Sequence, residues 1–114
     1  MLQLSIMKIK INSKEYEIVP CMSVFSKFLG LMFSKKKNLM FYFPVKTKPL
    51  IHMFFVFYPI TIIFLDEFYR ILDYKYIYPF QVYLPKYKAK YILEIPEKIT
   101  PNKVYFIDKV NVKK

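Results

Sequence analysis

The sequence predicts a mainly β domain, a small curved or barrel-like antiparallel sheet with one short helix near residues 23–33. Three observations predict it. The 114 residues hold 11 Tyr and 12 Phe against one Gly, Gly30, and one Ala, Ala89, and aromatic and β-branched side chains suit a pleated surface better than a helix. The eight Pro punctuate the chain into short elements. Several segments alternate apolar and polar residues with the period of two that half-buried strands require. At this length, residues 1–114 form a single domain, able to bury roughly two-thirds of the unfolded surface.

Residues 7–19 read as a hairpin. With Asn12-Ser13 as the turn, Ile11 faces Lys14, Lys10 faces Glu15, Ile9 faces Tyr16, Lys8 faces Glu17 and Met7 faces Ile18. Lys-Glu pairs then line one face and apolar pairs the other, each worth about 0.2–1 kcal/mol, and a one-residue slip would spoil them all. Asn-Ser is a weaker turn dipeptide than Asn-Gly, which leaves a longer loop open. Leu2, Leu4 and Ile6 have the opposite parity from Met7: a bulge lies near Ile6, or the first residues leave the strand, or Met7 is the natural start.

Residues 23–33 carry a helical stripe of Phe25, Phe28, Leu29, Met32 and Phe33, with Ser23 placed as N-cap. Gly30 inside it costs about 1 kcal/mol relative to Ala, which calls for close packing against a strand. Lys35, Lys36 and Lys37 form a solvated turn before a strand at 39–43 and a loop at 44–49.

From Pro49 to Leu65 no side chain is formally charged. A membrane helix needs about 20 apolar residues; this run is shorter, broken by Pro59 and rich in aromatic and β-branched residues, so no membrane span is expected. Pro59 divides it into strands 50–57 and 60–65, because proline cannot donate to a central ladder. Both faces of the second strand are apolar, so it is buried on two sides. Asp66-Glu67 open a turn into a strand at 70–77, with Tyr74, Tyr76 and Tyr78 on one face. Pro79 and Pro85 bound a loop. Residues 86–95 alternate, with Tyr87, Ala89, Tyr91, Leu93 and Ile95 inward and Lys86, Lys88, Lys90 and Glu94 outward. A last strand follows at 104–110.

The net charge of +11 comes from 18 Lys and one Arg, Arg70. One reading is a polyanion partner, RNA or DNA, met weakly by Lys35, Lys36, Lys37, Lys86, Lys88 and Lys90. The other is compositional bias, since Lys, Ile, Tyr, Phe and Asn rise together in AT-rich coding sequence. The scarcity of Arg removes the usual bidentate reader of guanine and phosphate. The lone Cys21 forbids an intrachain disulfide and reads as a small buried hydrophobe. The N-terminus shows no signal-peptide pattern, so a cytoplasmic location is expected. No cofactor is called for: a single glycine allows no Gly-rich phosphate loop, and the carboxylates lack metal-loop spacing.

Four motifs occur in order: Gly30-Leu31-Met32-Phe33; Ile51-His52-Met53-Phe54-Phe55-Val56; Pro59-Ile60-Thr61-Ile62-Ile63-Phe64-Leu65-Asp66; and Ala89-Lys90-Tyr91-Ile92-Leu93-Glu94-Ile95-Pro96. Together they resemble the prokaryotic domain-of-unknown-function family 192 over about residues 7–112. The resemblance implies a compact, mainly β domain with a short helix after the first hairpin, and no established activity. Four positions depart from the family pattern: Ser34 stands for an arginine, Thr61 for an aspartate, Glu97-Lys98 for a glycine, and Ile107-Asp108 for Gly-Asp. The family site or ion pair that the arginine and aspartate would form is absent here.

No catalytic residue and no metal ligand set is assigned. The candidate polar site is His52, Glu94 and Thr61. His52, the sole imidazole, stands at an aromatic family position and reads first as a packed core residue. Glu94 retains the family motif and, by parity, joins the lysine face in a salt bridge. The tract from Tyr74 to Tyr91 interleaves tyrosine with lysine as a base-stacking surface would, although the alternation turns Tyr87 and Tyr91 inward. The leading function is a binding or structural module; weak polyanion binding and an enzyme using His52 or Glu94 are the alternatives.

Overall fold

The computed structural model describes residues 3–22, 38–48, 51–52 and 58–113. The strands are β1 (Gln3–Ile11), β2 (Lys14–Met22), β3 (Leu39–Thr47), β4 (Ile51–His52), β5 (Ile60–Leu65), β6 (Ile71–Ile77), β7 (Val82–Tyr83), β8 (Ala89–Ile95) and β9 (Val104–Lys113). Seven form one curled half-barrel sheet in the order β6-β5-β8-β3-β2-β1-β9, while β4 and β7 pair separately. The helix expected at 23–33 lies outside the described residues, as do Lys35, Lys36 and Lys37.

The first hairpin has the register that its side chains dictate, from Met7 opposite Ile18 to Ile11 opposite Lys14. The turn is the two-residue one, with Asn12 at φ 59°, a left-handed conformation that Asn tolerates. Asn12 also clamps the hairpin to a distant loop. Its backbone N–H donates to the Lys103 carbonyl at 2.9 Å. Its side-chain Oδ1 accepts from the Asn102 N–H at 2.6 Å, and its Nδ2 donates to the Thr100 carbonyl at 3.0 Å. The first residues, of opposite parity, stay in the strand and pair with β9. Beyond Met7, β1 pairs with β9 alone, and the β1–β9 register shifts between Lys8 and Ile9, leaving Ile107 as the extra residue of a bulge.

One ladder of the large sheet is parallel: β2 runs alongside β3, Val19 opposite Leu39 and Met22 opposite Tyr42. The other ladders of this sheet are antiparallel, as expected; this one differs, and residues 23–38 are long enough for the crossover that a parallel pair needs. Pro20 is tolerated in β2 because pairing with β1 has ended at Ile18.

Central β5 is buried at all six positions, as its two apolar faces require. Alternate residues feed two cores. Ile60, Ile62 and Phe64 join Leu39, Phe41, Phe43, Ile77, Ala89 and Ile92 on one face. Ile63 and Leu65 join Met7, Ile9, Ile11, Ile18, Met40, Leu93, Ile95 and Val104 on the other. Each fully buried aliphatic side chain contributes about 1.5–3 kcal/mol relative to exposure.

The outward face assigned to residues 86–95 is corrected by this arrangement. β8 begins only at Ala89, so Lys86, Tyr87 and Lys88 occupy the bend before it, and Tyr87 is 51% exposed rather than core. Within β8, Leu93 and Ile95 face one core while Ile92 faces the other, because the strand lies between β5 and β3 with both faces covered. Alternation separates two faces without saying which is wet.

The β5–β6 hairpin turns at Asp66–Arg70. Asp66 Oδ1 accepts from the N–H groups of Phe68 at 2.8 Å and Arg70 at 2.9 Å, and Oδ2 accepts from Arg70 Nε at 2.7 Å. Burial pushes the Asp66 carboxyl up, but these donors outweigh it and hold the group below the usual carboxylate range. Tyr69 occupies the left-handed position of this turn at φ 63°, where Gly is normal.

Candidate functional site

Glu94 lies on β8 opposite Ile62 of β5 and Leu39 of β3, and it has the parity of Ile92. It is 8% exposed. Its carboxyl therefore sits beside the first core and not among the lysines, a correction to the salt-bridge reading. Burial pushes the acid up to about 8, so at neutral pH it is mostly a neutral O–H donor. Tyr58 packs against the same core; burial raises its phenol, and the nearby Glu94 raises it further.

Thr61 points to the opposite face, with Ile63 and Leu65. Its hydroxyl donates to the Glu97 carbonyl at 2.6 Å and accepts from the Ile99 N–H at 3.2 Å. A hydroxyl serves this pair because it is donor and acceptor at once, whereas a carboxylate would meet the Glu97 carbonyl oxygen. The sheet separates Thr61 from Glu94. His52 lies on β4 opposite Val82 of β7, and the next residue of β7, Tyr83, packs its ring at 5.8 Å from that of Phe64. The β4–β7 pair thus overlies the core that Glu94 borders; the His52 side chain is outside the described residues. Among the described residues, no three His, Cys, Asp or Glu side chains gather as a metal set, and no helix is long and apolar enough to cross a membrane.

The lysines divide. Lys86 and Lys88 are exposed in their bend. Lys90 is half-buried, and its Nζ donates to the Pro44 carbonyl at 2.9 Å. Two further lysines join the surface: Lys75, exposed on β6, and Lys98, whose ammonium sits 5.6 Å from the centre of the Tyr76 ring. Between Asp73 and Glu94 the chain has no acid. Three acids elsewhere lie near cations or hydroxyls: Asp66 with Arg70, Glu67 with Lys46 at 2.9 Å, and Glu97 with Lys14 at 3.4 Å and the Tyr16 hydroxyl at 2.9 Å. Asp73 accepts from the Tyr83 hydroxyl at 2.5 Å, a bond that with burial pushes that phenol up to about 12.

Large hydrophobic side chains crowd the same stretch. Tyr74, Tyr78, Phe80, Val82, Leu84 and Tyr87 are all exposed. A β-turn sets their course: the Gln81 N–H donates to the Tyr78 carbonyl at 3.2 Å, and Gln81 Oε1 accepts from the Tyr78 N–H at 2.8 Å. Pro79 fits the second position of this turn, and Phe80 takes the third at φ 68°, a place usually held by Gly or Asn. The sequence marks residues 79–85 only as a Pro-bounded loop, since no glycine follows Pro79 to signal the turn.

With the geometry in hand, comparison with known proteins places the chain. The family model of DUF192, described as an uncharacterized ACR, matches residues 7–105. The chain belongs to this family. Among DUF192 relatives, UPF0127 protein PH1112 of Pyrococcus horikoshii is 37% identical over 102 residues, covering 86% of this chain and 89% of its own length. A UPF0127 protein of Thermococcus sibiricus is 42% identical over 76 residues, 63% of this chain and 49% of its own. Two crystal structures share the fold. One, "a putative transcription regulator" from Sinorhizobium meliloti 1021, has a TM-score of 0.71 at 12% identity, covering 92% of this chain and 94% of that one. The other, a protein of unknown function from Novosphingobium aromaticivorans, has a TM-score of 0.66 at 17% identity, covering 87% and 82%. Where the DUF192 pattern expects Gly-Asp, this chain has Ile107-Asp108, and Ile107 is the bulged residue of β9, a position that suits glycine.

Proposed function

We propose that this DUF192 domain is a non-catalytic binding module whose partner is an anionic polymer. One observation carries the reading: the stretch between Asp73 and Glu94 contains no acid and exposes Lys75, Lys86 and Lys88. Such a surface gains affinity by releasing the counterions condensed on a polyanion. Lys35, Lys36 and Lys37 add to the same charge in sequence. The role belongs in the cytoplasm, where nucleic acid is available. Fluorescence anisotropy of labelled RNA and DNA, titrated with salt, tests it. Affinity should fall steadily as salt rises; no binding even at low salt rejects the reading.

A second reading is favoured by Glu94 itself. A neutral buried carboxyl can donate a proton near pH 7, and with His52 and Thr61 it makes up the candidate polar site. Thr61 is the weakest member, since it faces away from Glu94. This enzymatic reading is rejected if any activity found in the protein survives alanine at both His52 and Glu94.

A further inference from the structure

Resting on the polyanion reading, we infer that the partner is a single-stranded nucleic acid whose bases stack on the aromatic rings along the β6 edge of the sheet. The platform is Tyr74, Tyr76, Tyr78 and Phe80, with Lys98 beside it and Lys75 on the opposite face of the same edge strand. β6 ends the strand order of the large sheet, so among the described residues no strand pairs with its outer side, and a linear ligand can lie along it.

The spacing suits an extended strand. Tyr74 and Tyr76 share a face of β6, opposite Ile63 and Thr61, and residues two apart in a strand stand about 7 Å from each other. Tyr76 and Tyr78 meet edge-on with ring centres 5.2 Å apart, continuing the row past the end of β6. The turn then sets Phe80 in the left-handed conformation with 63% of its surface exposed. A bulky residue there is strained by about 1–2 kcal/mol relative to glycine, and strain at an exposed aromatic is the kind of feature that marks a binding site. The charge is complementary: Lys98 caps the second ring, Lys75 projects from the other face of the same edge strand, and the nearest acid in sequence, Asp73, is held by the Tyr83 hydroxyl.

The rings decide among anions. A polyphosphate or an acidic peptide would use the lysines and leave the aromatic row idle. A duplex hides its base faces, and this chain has a single Arg with which to read groove edges. A single strand offers phosphates to the lysines and π-faces to the rings together.

The test compares single-stranded RNA and DNA of about 15 nucleotides with the matching duplexes and inorganic polyphosphate at equal salt. The probe variant is Phe80→Gly, which removes the ring while suiting its backbone, and Tyr74→Ser serves as the second; thermal midpoints verify folding. The expected result is preference for a single strand, an affinity about 10-fold lower in either variant, and polyphosphate binding unchanged by both. Equal binding of polyphosphate and single strands, or variants that bind single strands like the parent, overturns the stacking inference and leaves the polyanion reading standing. Absence of binding to every probe overturns both.

Discussion

The ring of Tyr69 stacks on that of Tyr91 at 4.7 Å with an interplanar angle of 28°, although the backbone of Tyr69 is left-handed at φ 63°. The Tyr69 ring also lies nearly parallel to that of Phe106 on β9 at 6.1 Å. The β5–β6 turn and the far edge of the sheet are thereby joined through three aromatic rings, which draws the half-barrel together. The stack offsets the backbone strain. Burial, then Tyr91, pushes the Tyr69 phenol up to about 12, so the ring stays neutral throughout the ordinary pH range.

Substitution at Tyr69 separates the two effects. Tyr69→Ala loses the stack and keeps the unfavourable backbone; Tyr69→Gly loses the stack and relieves it. Both should unfold at lower urea than the parent, with the glycine variant more stable than the alanine one by about 1 kcal/mol. Equal midpoints for the two variants would show that the left-handed turn carries no strain.

Asn12 allows a similar separation in the first hairpin. Asn12→Gly suits φ 59° but removes the bonds to Thr100 and Asn102. We expect it to lose about 1–2 kcal/mol, with faster amide exchange at Asn102 and Lys103. Asn12→Ala should lose more. Unchanged exchange at 102–103 in the glycine variant would mean that the loop is held by other contacts.

What the sequence made legible follows from these particulars. The hairpin register could be read because the faces of 7–11 and 14–18 differ in chemistry, so a slip is penalised at every pair. β5 could be read because Ile60 to Leu65 is apolar on both faces. Glu94 could not: its alternation with Leu93 and Ile95 was correct, yet whether the other face is wet depends on what the rest of the chain lays over it. The β2–β3 pairing was equally hidden, since nothing local marks a strand as parallel. Phe80 escaped because its turn normally signals itself with glycine.

Thr61 tests whether the family's aspartate position is structural here. Thr61→Val keeps the shape and removes the bonds to the Glu97 carbonyl and the Ile99 N–H, at about 0.5–1.5 kcal/mol for each. Thr61→Ser retains both bonds and should lose only about 1 kcal/mol for the missing methyl. Chemical denaturation ranks the three proteins; a valine variant as stable as the serine one would remove Thr61 from the clamp on residues 97–99.

Glu94 gives stability a pH dependence of definite sign. Its folded value of about 8 lies above the ordinary glutamate value of 4.5, so between these values the unfolded chain has released the proton while the folded one keeps it. The unfolded chain then binds fewer protons than the folded one, and the associated stability, complete below pH 4.5, is lost as pH rises towards 8. The slope approaches the single-proton limit of about 1.4 kcal/mol per pH unit. Glu94→Gln, neutral and nearly isosteric, should abolish this slope and be the more stable protein at pH 9. Urea midpoints of both proteins from pH 5 to 9, on the order of one unit apart, measure it. Parallel profiles would mean that Glu94 is ionised in the folded chain, and the reading of a neutral acid beside the first core would fall with it.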